Sequence, residues 1–136
     1  MQKFDIKTIG LLTTFEQITK ARVKNLMHDK QQITFIVQQG DAGKAIGRYG
    51  SKIKRLSFLM KKKVKVIEFD PDKKEFIKNC IAPLKVDSVE ESEGKLILHA
   101  KSREIRAQLI GRNRENLKTF KDIVNMYFNV EVSVAE

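Results

Sequence analysis

A short glycine-rich segment, Gly47-Arg48-Tyr49-Gly50, holds the residue types best suited to binding chemistry in this sequence. The two glycines can adopt positive φ, and their missing Cβ atoms let an extended chain approach the backbone closely. Arg48 can make a charge-assisted hydrogen bond to phosphate, and Tyr49 can bind through its hydroxyl or by stacking. Ser51 is suited to cap a following helix, whose N–H groups would face the same anion. The segment predicts either an anion-binding turn between two helices or a plain glycine turn.

The charge around this segment favours the anion-binding interpretation. The 22 residues from Lys44 to Lys65 contain no Asp or Glu and nine basic residues, namely Lys44, Arg48, Lys52, Lys54, Arg55, Lys61, Lys62, Lys63 and Lys65. The 136-residue chain has 27 Lys and Arg against 17 Asp and Glu, and its net charge of +10 divides into +9 for residues 1–70 and +1 for residues 71–136. A one-signed field of this kind attracts polyanions, although a solubilising surface is the alternative.

A second copy of the same unit follows 64 residues later. Residues 45–50 align without a gap with residues 109–114, and SKIKRLSFLM then aligns with ENLKTFKDIV. Each copy continues into a β-prone piece, VKVIEF or VEVSV. The second copy reads Gly111-Arg112-Asn113-Arg114 and lacks the closing glycine, which leaves two interpretations open. Its arginines could bind phosphate, or the second unit could serve mainly as a rigid partner of the first.

Hydrophobic periodicity predicts an α+β fold with the same order of elements in both halves. The first half is predicted to contain a helix with apolar positions at Ile6, Ile9, Leu12, Phe15 and Ile18, strands at 22–29 and 32–38, a helical segment at 43–62 broken at the glycines, and a strand at 64–69. The second half is predicted to contain a helix at 73–82, strands at 85–91 and 95–101, a helical segment at 103–127 and a strand at 130–134. We therefore expect two domains, 1–70 and 71–136.

Patterns for catalysis or metal binding are missing from the sequence. Cys80 is the single cysteine, which excludes an intrachain disulfide, and its spacing from Phe76, Ile77 and Ile81 predicts a buried thiol. No HxxxH, Gly-x-Ser-x-Gly or nucleotide-binding P-loop pattern is present. The acidic residues at 90–93 are expected at a solvated hairpin end. We expect a protein that is not an enzyme, with no cofactor, metal or small-molecule substrate.

At the first loop the sequence resembles the K-homology (KH) family of RNA-binding domains, whose aliphatic-Ile-Gly-x-x-Gly motif clamps the backbone of about four nucleotides. Ala45-Ile46-Gly47-Arg48-Tyr49-Gly50 matches this motif, and the order of elements is similar to the type II variant. Two such units with little else resemble the archaeal NusA family of transcription termination and antitermination factors. The resemblance implies two tandem type II KH domains, each a three-stranded sheet packed on helices.

The resemblance also implies a function and a set of binding residues. It implies single-stranded RNA binding in transcription elongation or termination, with RNA polymerase as the protein partner that the family suggests. By the same resemblance, residues 47–50 are expected to contact phosphate, and Ile46, Ile53 and Lys54 are expected to line or border the adjoining groove. The candidate RNA-binding residues are Lys44, Ile46, Gly47, Arg48, Tyr49, Gly50, Lys52, Lys54 and Arg55 in the first unit, and Gly111, Arg112, Asn113 and Arg114 in the second.

Other functional classes would use the same features. An RNA-binding factor in ribosome biogenesis or translation would need the same loop, and a sequence-blind polyanion or membrane-surface binder would use Lys61–Lys63. A lipid-binding helix needs exposed Trp, Phe or Leu, whereas Trp is absent and we expect the apolar stripes, with Leu59, in the core. No apolar run approaches the roughly 20 residues of a bilayer span, and the N-terminus, with Asp5, shows no secretory pattern, so we expect a cytoplasmic protein without membrane contact.

Overall fold

The predicted α+β architecture is confirmed in a computed structural model of the protein, which describes residues 6–136. The chain divides between Phe69 and Asp70 into two compact units. Unit 1 consists of α1 (Ile6–Thr19), β1 (Val23–His28), β2 (Gln32–Val37), α2 (Ala42–Ile46), α3 (Ser51–Met60) and β3 (Lys63–Glu68). Unit 2 consists of α4 (Lys73–Ile81), β4 (Ser88–Ser92), β5 (Lys95–His99), α5 (Arg103–Ile110), α6 (Glu115–Asn125) and β6 (Glu131–Val134).

Each unit contains a three-stranded sheet whose central strand is the second in sequence. In unit 1, β2 pairs antiparallel with β1 and parallel with β3, so that Phe35 lies opposite Leu26 on one side and Val66 on the other. In unit 2, β5 pairs antiparallel with β4 and parallel with β6, which places Leu96 opposite Val132. The parallel pair needs a long crossover, and the two helices that flank the glycine loop supply it. The same topology therefore positions one glycine loop in each unit.

The sheets and helices meet in a separate core in each unit. In unit 1 the rings of Phe15 on α1 and Phe35 on β2 stack with their centroids 3.9 Å apart, and both side chains are fully buried. In unit 2 Phe76 on α4 makes an edge contact with Tyr127, with the ring centroids 5.5 Å apart. Cys80 is fully buried on the same helix, as the sequence predicted.

Some residues predicted for the core are exposed. Ile6 and Ile9 are 90% and 50% exposed although α1 forms as predicted. A strict three-residue spacing turns by about 60° per step around a helix of 3.6 residues per turn, so the start of the series rotates away from the buried Phe15. Leu59 on α3 is also 50% exposed, because the buried line of that helix passes through Leu56.

No helix in the described part of the chain combines the length and the apolar character that crossing a bilayer requires.

Candidate nucleic-acid interface

The first glycine segment, residues 47–50, forms a tight connection between α2 and α3 that we call loop 1. The N–H of Gly47 donates to the carbonyl of Gly43 at 3.0 Å, and the N–H of Gly50 donates to the carbonyl of Gly47 at 3.1 Å. These two bonds turn the chain from one helix into the next through a single 3₁₀ turn. Tyr49 and Gly50 both take left-handed conformations, with φ of 57° and 72°. Loop 1 is thus an ordered turn defined by backbone hydrogen bonds.

Gly47 cannot be replaced by a larger residue without disturbing this turn. Its φ of 77° and ψ of 171° fall in a region that is essentially limited to glycine. A Cβ atom there would lie 2.7 Å from Cγ of Lys52 and 3.0 Å from the backbone nitrogen of Lys52. Gly50 differs, because no described atom lies within 4 Å of the position its Cβ would take. The first glycine packs loop 1 against α3, whereas the second borders open space.

The predicted cap at Ser51 is wrong. Ser51 is the first residue of α3, with helical φ and ψ of −61° and −40°, and the capping position is Gly50. Gly50 takes the left-handed conformation, and no described side chain caps α3. Because the first turn of a helix has N–H groups without partners inside the helix, the start of α3 offers donors and a positive dipole end beside loop 1.

The side chains predicted to contact phosphate project from loop 1 into solvent. Tyr49 is 86% exposed, and Arg48 is exposed with its guanidinium carbon 5.6 Å from the centre of the Tyr49 ring. Ile46 at the end of α2 is also exposed, whereas the preceding Ala45 is buried. Loop 1 therefore presents a cation, an aromatic ring and an apolar side chain together.

The basic residues predicted around loop 1 occupy different environments. Lys44, Lys54 and Arg55 are exposed, and Lys44 lies 3.8 Å from the carboxylate of Asp41. Lys52 is half-buried, with its methylene groups beneath Gly47 and its ammonium nitrogen 3.5 Å from the carbonyl of Thr19 at the end of α1. A cation at that position balances the negative end of the helix dipole. Lys52 thus supports loop 1 from below.

A buried carboxylate that the sequence analysis did not single out fixes the start of α2. Asp41 is only 3% exposed, and its Oδ2 accepts hydrogen bonds from the backbone N–H of Arg22 at 2.8 Å and from Nε of Arg22 at 3.0 Å. These bonds lower the pKa of Asp41 to about 2. Beside it, the N–H of Ala42 donates to Glu68 at the end of β3. Two carboxylates thus connect the start of α2 to Arg22, directly before β1, and to β3. An Asp directly before a helical segment would have predicted a helix cap, but the Asp41 side chain bonds to Arg22 instead.

The second glycine segment, residues 111–114, is called loop 2 and repeats the backbone of loop 1. Gly111 has φ and ψ of 73° and 173°, and Asn113 has 56° and 27°. Arg114 has 62° and 21°, against 72° and 17° for Gly50. At these three positions every angle agrees with its counterpart in loop 1 within 10°. The missing closing glycine has not changed the turn, and at the corresponding Gly50 of loop 1 a Cβ atom would meet no described atom within 4 Å.

The support beneath loop 2 also follows the pattern of loop 1. A Cβ atom on Gly111 would lie 2.6 Å from Cγ of Asn116, which aligns with Lys52 in the repeat. The side-chain amide of Asn116 donates to the carbonyl of Gln108 at 2.8 Å. Beside loop 2 an open groove is lined mainly by basic and aliphatic side chains, among them Arg103, Arg106, Ile110, Arg114, Leu117 and Val134. Unit 2 therefore retains a loop and a basic groove despite its lower net charge.

Two glutamates of the acidic cluster at residues 90–93 contact basic side chains at the surface. Glu90 lies 2.8 Å from Nε2 of His99, and Glu91 lies 2.6 Å from the ammonium nitrogen of Lys73. Within residues 6–136 there is no group of His, Cys, Asp or Glu that could hold a metal ion.

Comparisons with known proteins find relatives that share one name. No family model matches the chain. A protein of Methanococcus vannielii named "Probable transcription termination protein NusA" is 30% identical over 132 residues, which cover 95% of this chain and 76% of the relative. A protein of the same name from Halobacterium salinarum is 27% identical over 123 residues, covering 89% of this chain and 88% of the relative. The crystal structure of APE1850 superposes with a TM-score of 0.73 at 27% identity, covering 98% of this chain and 100% of that one.

Proposed function

Because this chain belongs to the archaeal NusA family, we propose that it is a transcription factor that binds single-stranded RNA by its backbone at loop 1. The observation that carries the proposal is the geometry of loop 1. Gly47 lets the turn pack closely on Lys52, Gly50 leaves open space where a Cβ atom would lie, and Arg48 and Tyr49 are exposed beside it. A phosphate can therefore approach the backbone while the guanidinium neutralises its charge.

The start of α3 contributes to the same binding site. The N–H of Ser51 donates to the carbonyl of Arg48. No described side chain caps the helix, so the first turn of α3 brings further N–H donors close to a ligand seated on loop 1. The positive end of the helix dipole adds to the attraction of an anion there. Ile46 borders loop 1 as an exposed aliphatic side chain on which the face of a base can rest. Phosphate and base contacts are thus available side by side.

Single-stranded RNA fits this surface better than a duplex does. Sequence-specific RNA recognition generally targets unpaired bases, which can be splayed out and stacked, whereas the bases of a duplex are stacked on one another. The exposed Tyr49 ring offers such a stacking surface. Lys44, Lys54 and Arg55, all exposed, add the long-range attraction for the backbone.

The second unit takes part through loop 2 in this proposal. Residues 111–114 hold the loop 1 conformation, and Arg114 keeps a left-handed φ of 62°, which a residue with a Cβ adopts at a cost of about 1 kcal/mol. Arg112 and Arg114 place two cations on loop 2, although the net charge of the unit is only +1. We assign residues 1–70 and 71–136 to two KH domains, of which the first is the main RNA binder. Contact with RNA polymerase stays a prediction from the family resemblance.

A binding panel tests the proposed function. The protein is titrated against a labelled single-stranded RNA of about twelve nucleotides, the matching DNA strand and a duplex RNA, at two salt concentrations. We expect single-stranded RNA to bind at least about tenfold more tightly than the duplex. Its affinity should fall with salt with a logarithmic slope of about −3, because about four phosphates are neutralised at about 0.7 counterions each.

The panel includes a control for charge alone. Heparin and vesicles that contain anionic lipid present negative charge without bases. Equal affinity for RNA, duplex, heparin and vesicles would contradict the proposal and would leave a sequence-blind polyanion binder. Sequencing the RNA retained from a random pool then identifies which bases are preferred.

A further inference from the structure

The outward face of α3 carries an aromatic side chain that the core does not use. Phe58 is 82% exposed, while Leu56 on the opposite side of the helix is fully buried. Residues three and four apart are neighbours on a helix surface, so Phe58 lies beside Lys54 and Arg55, and Lys61 follows three residues later at the left-handed end of the helix. All three flanking residues are exposed. The result is a stripe of cation, aromatic ring and cation, which we call the α3 stripe.

Packing in the core does not explain why an aromatic residue stands at position 58. The ring is more exposed than Leu59, which lies about 100° around the helix at the margin of the core. The exposed ring leaves apolar area in contact with water, which a stacked base would cover. The expectation that the apolar stripe of this helix lies in the core is wrong for Leu59, and Phe58 lies outside that stripe. The argument that it supplied against a surface-binding helix therefore does not hold.

We propose that the α3 stripe continues the RNA-binding surface beyond loop 1, with Phe58 stacking on an unpaired base and the flanking cations binding phosphates. This inference rests on the proposed function at loop 1. α3 begins at loop 1, and Phe58 lies eight residues after Gly50, about 12 Å along the helix axis. An RNA strand that leaves loop 1 in the direction of this helix passes directly over the stripe.

The chemistry of the stripe favours RNA as the occupant. Surfaces that bind single strands combine a basic track with aromatic rings on which bases stack, and this stripe has both. The 22 residues from 44 to 65 contain no acidic group that would repel a phosphate along the path from loop 1. An acidic protein segment would also be attracted, but the direct continuity with loop 1 is specific to a strand that is already bound there.

RNAs of two lengths distinguish binding at the α3 stripe from binding at loop 1. An RNA of about four nucleotides fills loop 1 alone, whereas one of about twelve nucleotides extends over α3. Phe58→Ala is expected to weaken binding of the longer RNA about tenfold, which is the size of a lost base–aromatic stacking contact, and to leave the shorter RNA unchanged. Phe58→Tyr keeps the ring and should stay within about twofold of the wild type for both lengths.

The control variant is Ile9→Ala, which removes a half-exposed apolar side chain from α1 outside the stripe. It should leave both affinities unchanged. Because Phe58 is exposed, its replacement should keep the circular dichroism spectrum and the melting temperature of the wild type. An unchanged affinity of Phe58→Ala for the longer RNA, or an equal loss for both lengths, would overturn the inference. Failure of the proposed function would look different, since the wild-type protein would then show no preference for single-stranded RNA at either length.

Discussion

The double variant Arg48→Asp/Tyr49→Asp is expected to lose at least about tenfold in affinity for single-stranded RNA while it keeps the wild-type fold. Both side chains project from loop 1 into solvent, so no packing is lost with them. The substitutions remove one cation and one stacking ring and place two carboxylates where a phosphate would lie. Titration of a labelled RNA, followed by fluorescence anisotropy, measures the loss, and circular dichroism verifies the fold.

A control with the same change in charge separates the loop from the overall field. Lys7→Asp/Gln17→Asp also lowers the net charge by three, at exposed positions on α1. It should reduce affinity less than the loop 1 variant does, because it leaves Arg48 and Tyr49 in place and lowers only the general attraction for a polyanion. If the control and the loop 1 variant lose the same affinity, the charge of the domain binds RNA and loop 1 has no special role.

The corresponding change in loop 2, Arg112→Asp/Asn113→Asp, ranks the two units. We expect a smaller loss than at loop 1, because unit 2 has a net charge near +1 and offers less long-range attraction. A larger loss at loop 2 would reverse the proposed ranking of the two domains.

The second large effect is expected for Gly47→Ala, which should lower the free energy of unfolding of unit 1 by about 1–3 kcal/mol. The new Cβ would take a conformation that is essentially limited to glycine and would lie 3.0 Å from the backbone nitrogen of Lys52. That nitrogen belongs to the helix and cannot move aside as the end of a flexible side chain can. Loop 1 must then deform, so RNA affinity should fall about tenfold as well, as expected for the loss of a positioned phosphate contact.

Gly50→Asn is the matched control for this prediction. Asn tolerates the left-handed conformation, and its Cβ would meet no described atom within 4 Å. Its effect on stability should stay below about 1 kcal/mol, as the Arg at the aligned position of loop 2 also suggests. Urea denaturation followed by circular dichroism measures both variants. Equal destabilisation by the two substitutions would show that close packing beneath Gly47 has no special importance.

The order of elements and the position of both loops could be predicted from the sequence, because alternating apolar residues and glycine turns are local patterns. The β-prone run ITFIV and the 64-residue repeat indicate where elements lie, and both can be recognised without knowing which residues pack against them. The prediction that Ser51 caps α3 was wrong because it, too, rested on a local pattern alone. Which residue caps a helix depends on where the helix begins. The left-handed turn at Gly50 starts α3 at Ser51, one residue earlier than a cap at Ser51 would require.

The roles of individual charged and apolar residues required the tertiary structure. Lys52 is one of nine basic residues in an acid-free run, and only the fold shows that it lies beneath Gly47 and contacts the end of α1. The bonds between Arg22 and Asp41 join residues 19 positions apart, which no local pattern reveals. Phe58 and Leu59 are adjacent and both apolar, but their exposure depends on which line of α3 faces the sheet.

The central claim is that single-stranded RNA lies on loop 1 and the start of α3, and an NMR titration of the backbone amides tests it most directly. We predict that adding a single-stranded RNA of about twelve nucleotides shifts the amide resonances of residues 46–58 most strongly, with smaller shifts at residues 110–117. The sheet residues of β1 and β4 should stay nearly unchanged. Shifts concentrated on those sheets, with loop 1 unaffected, would contradict the account.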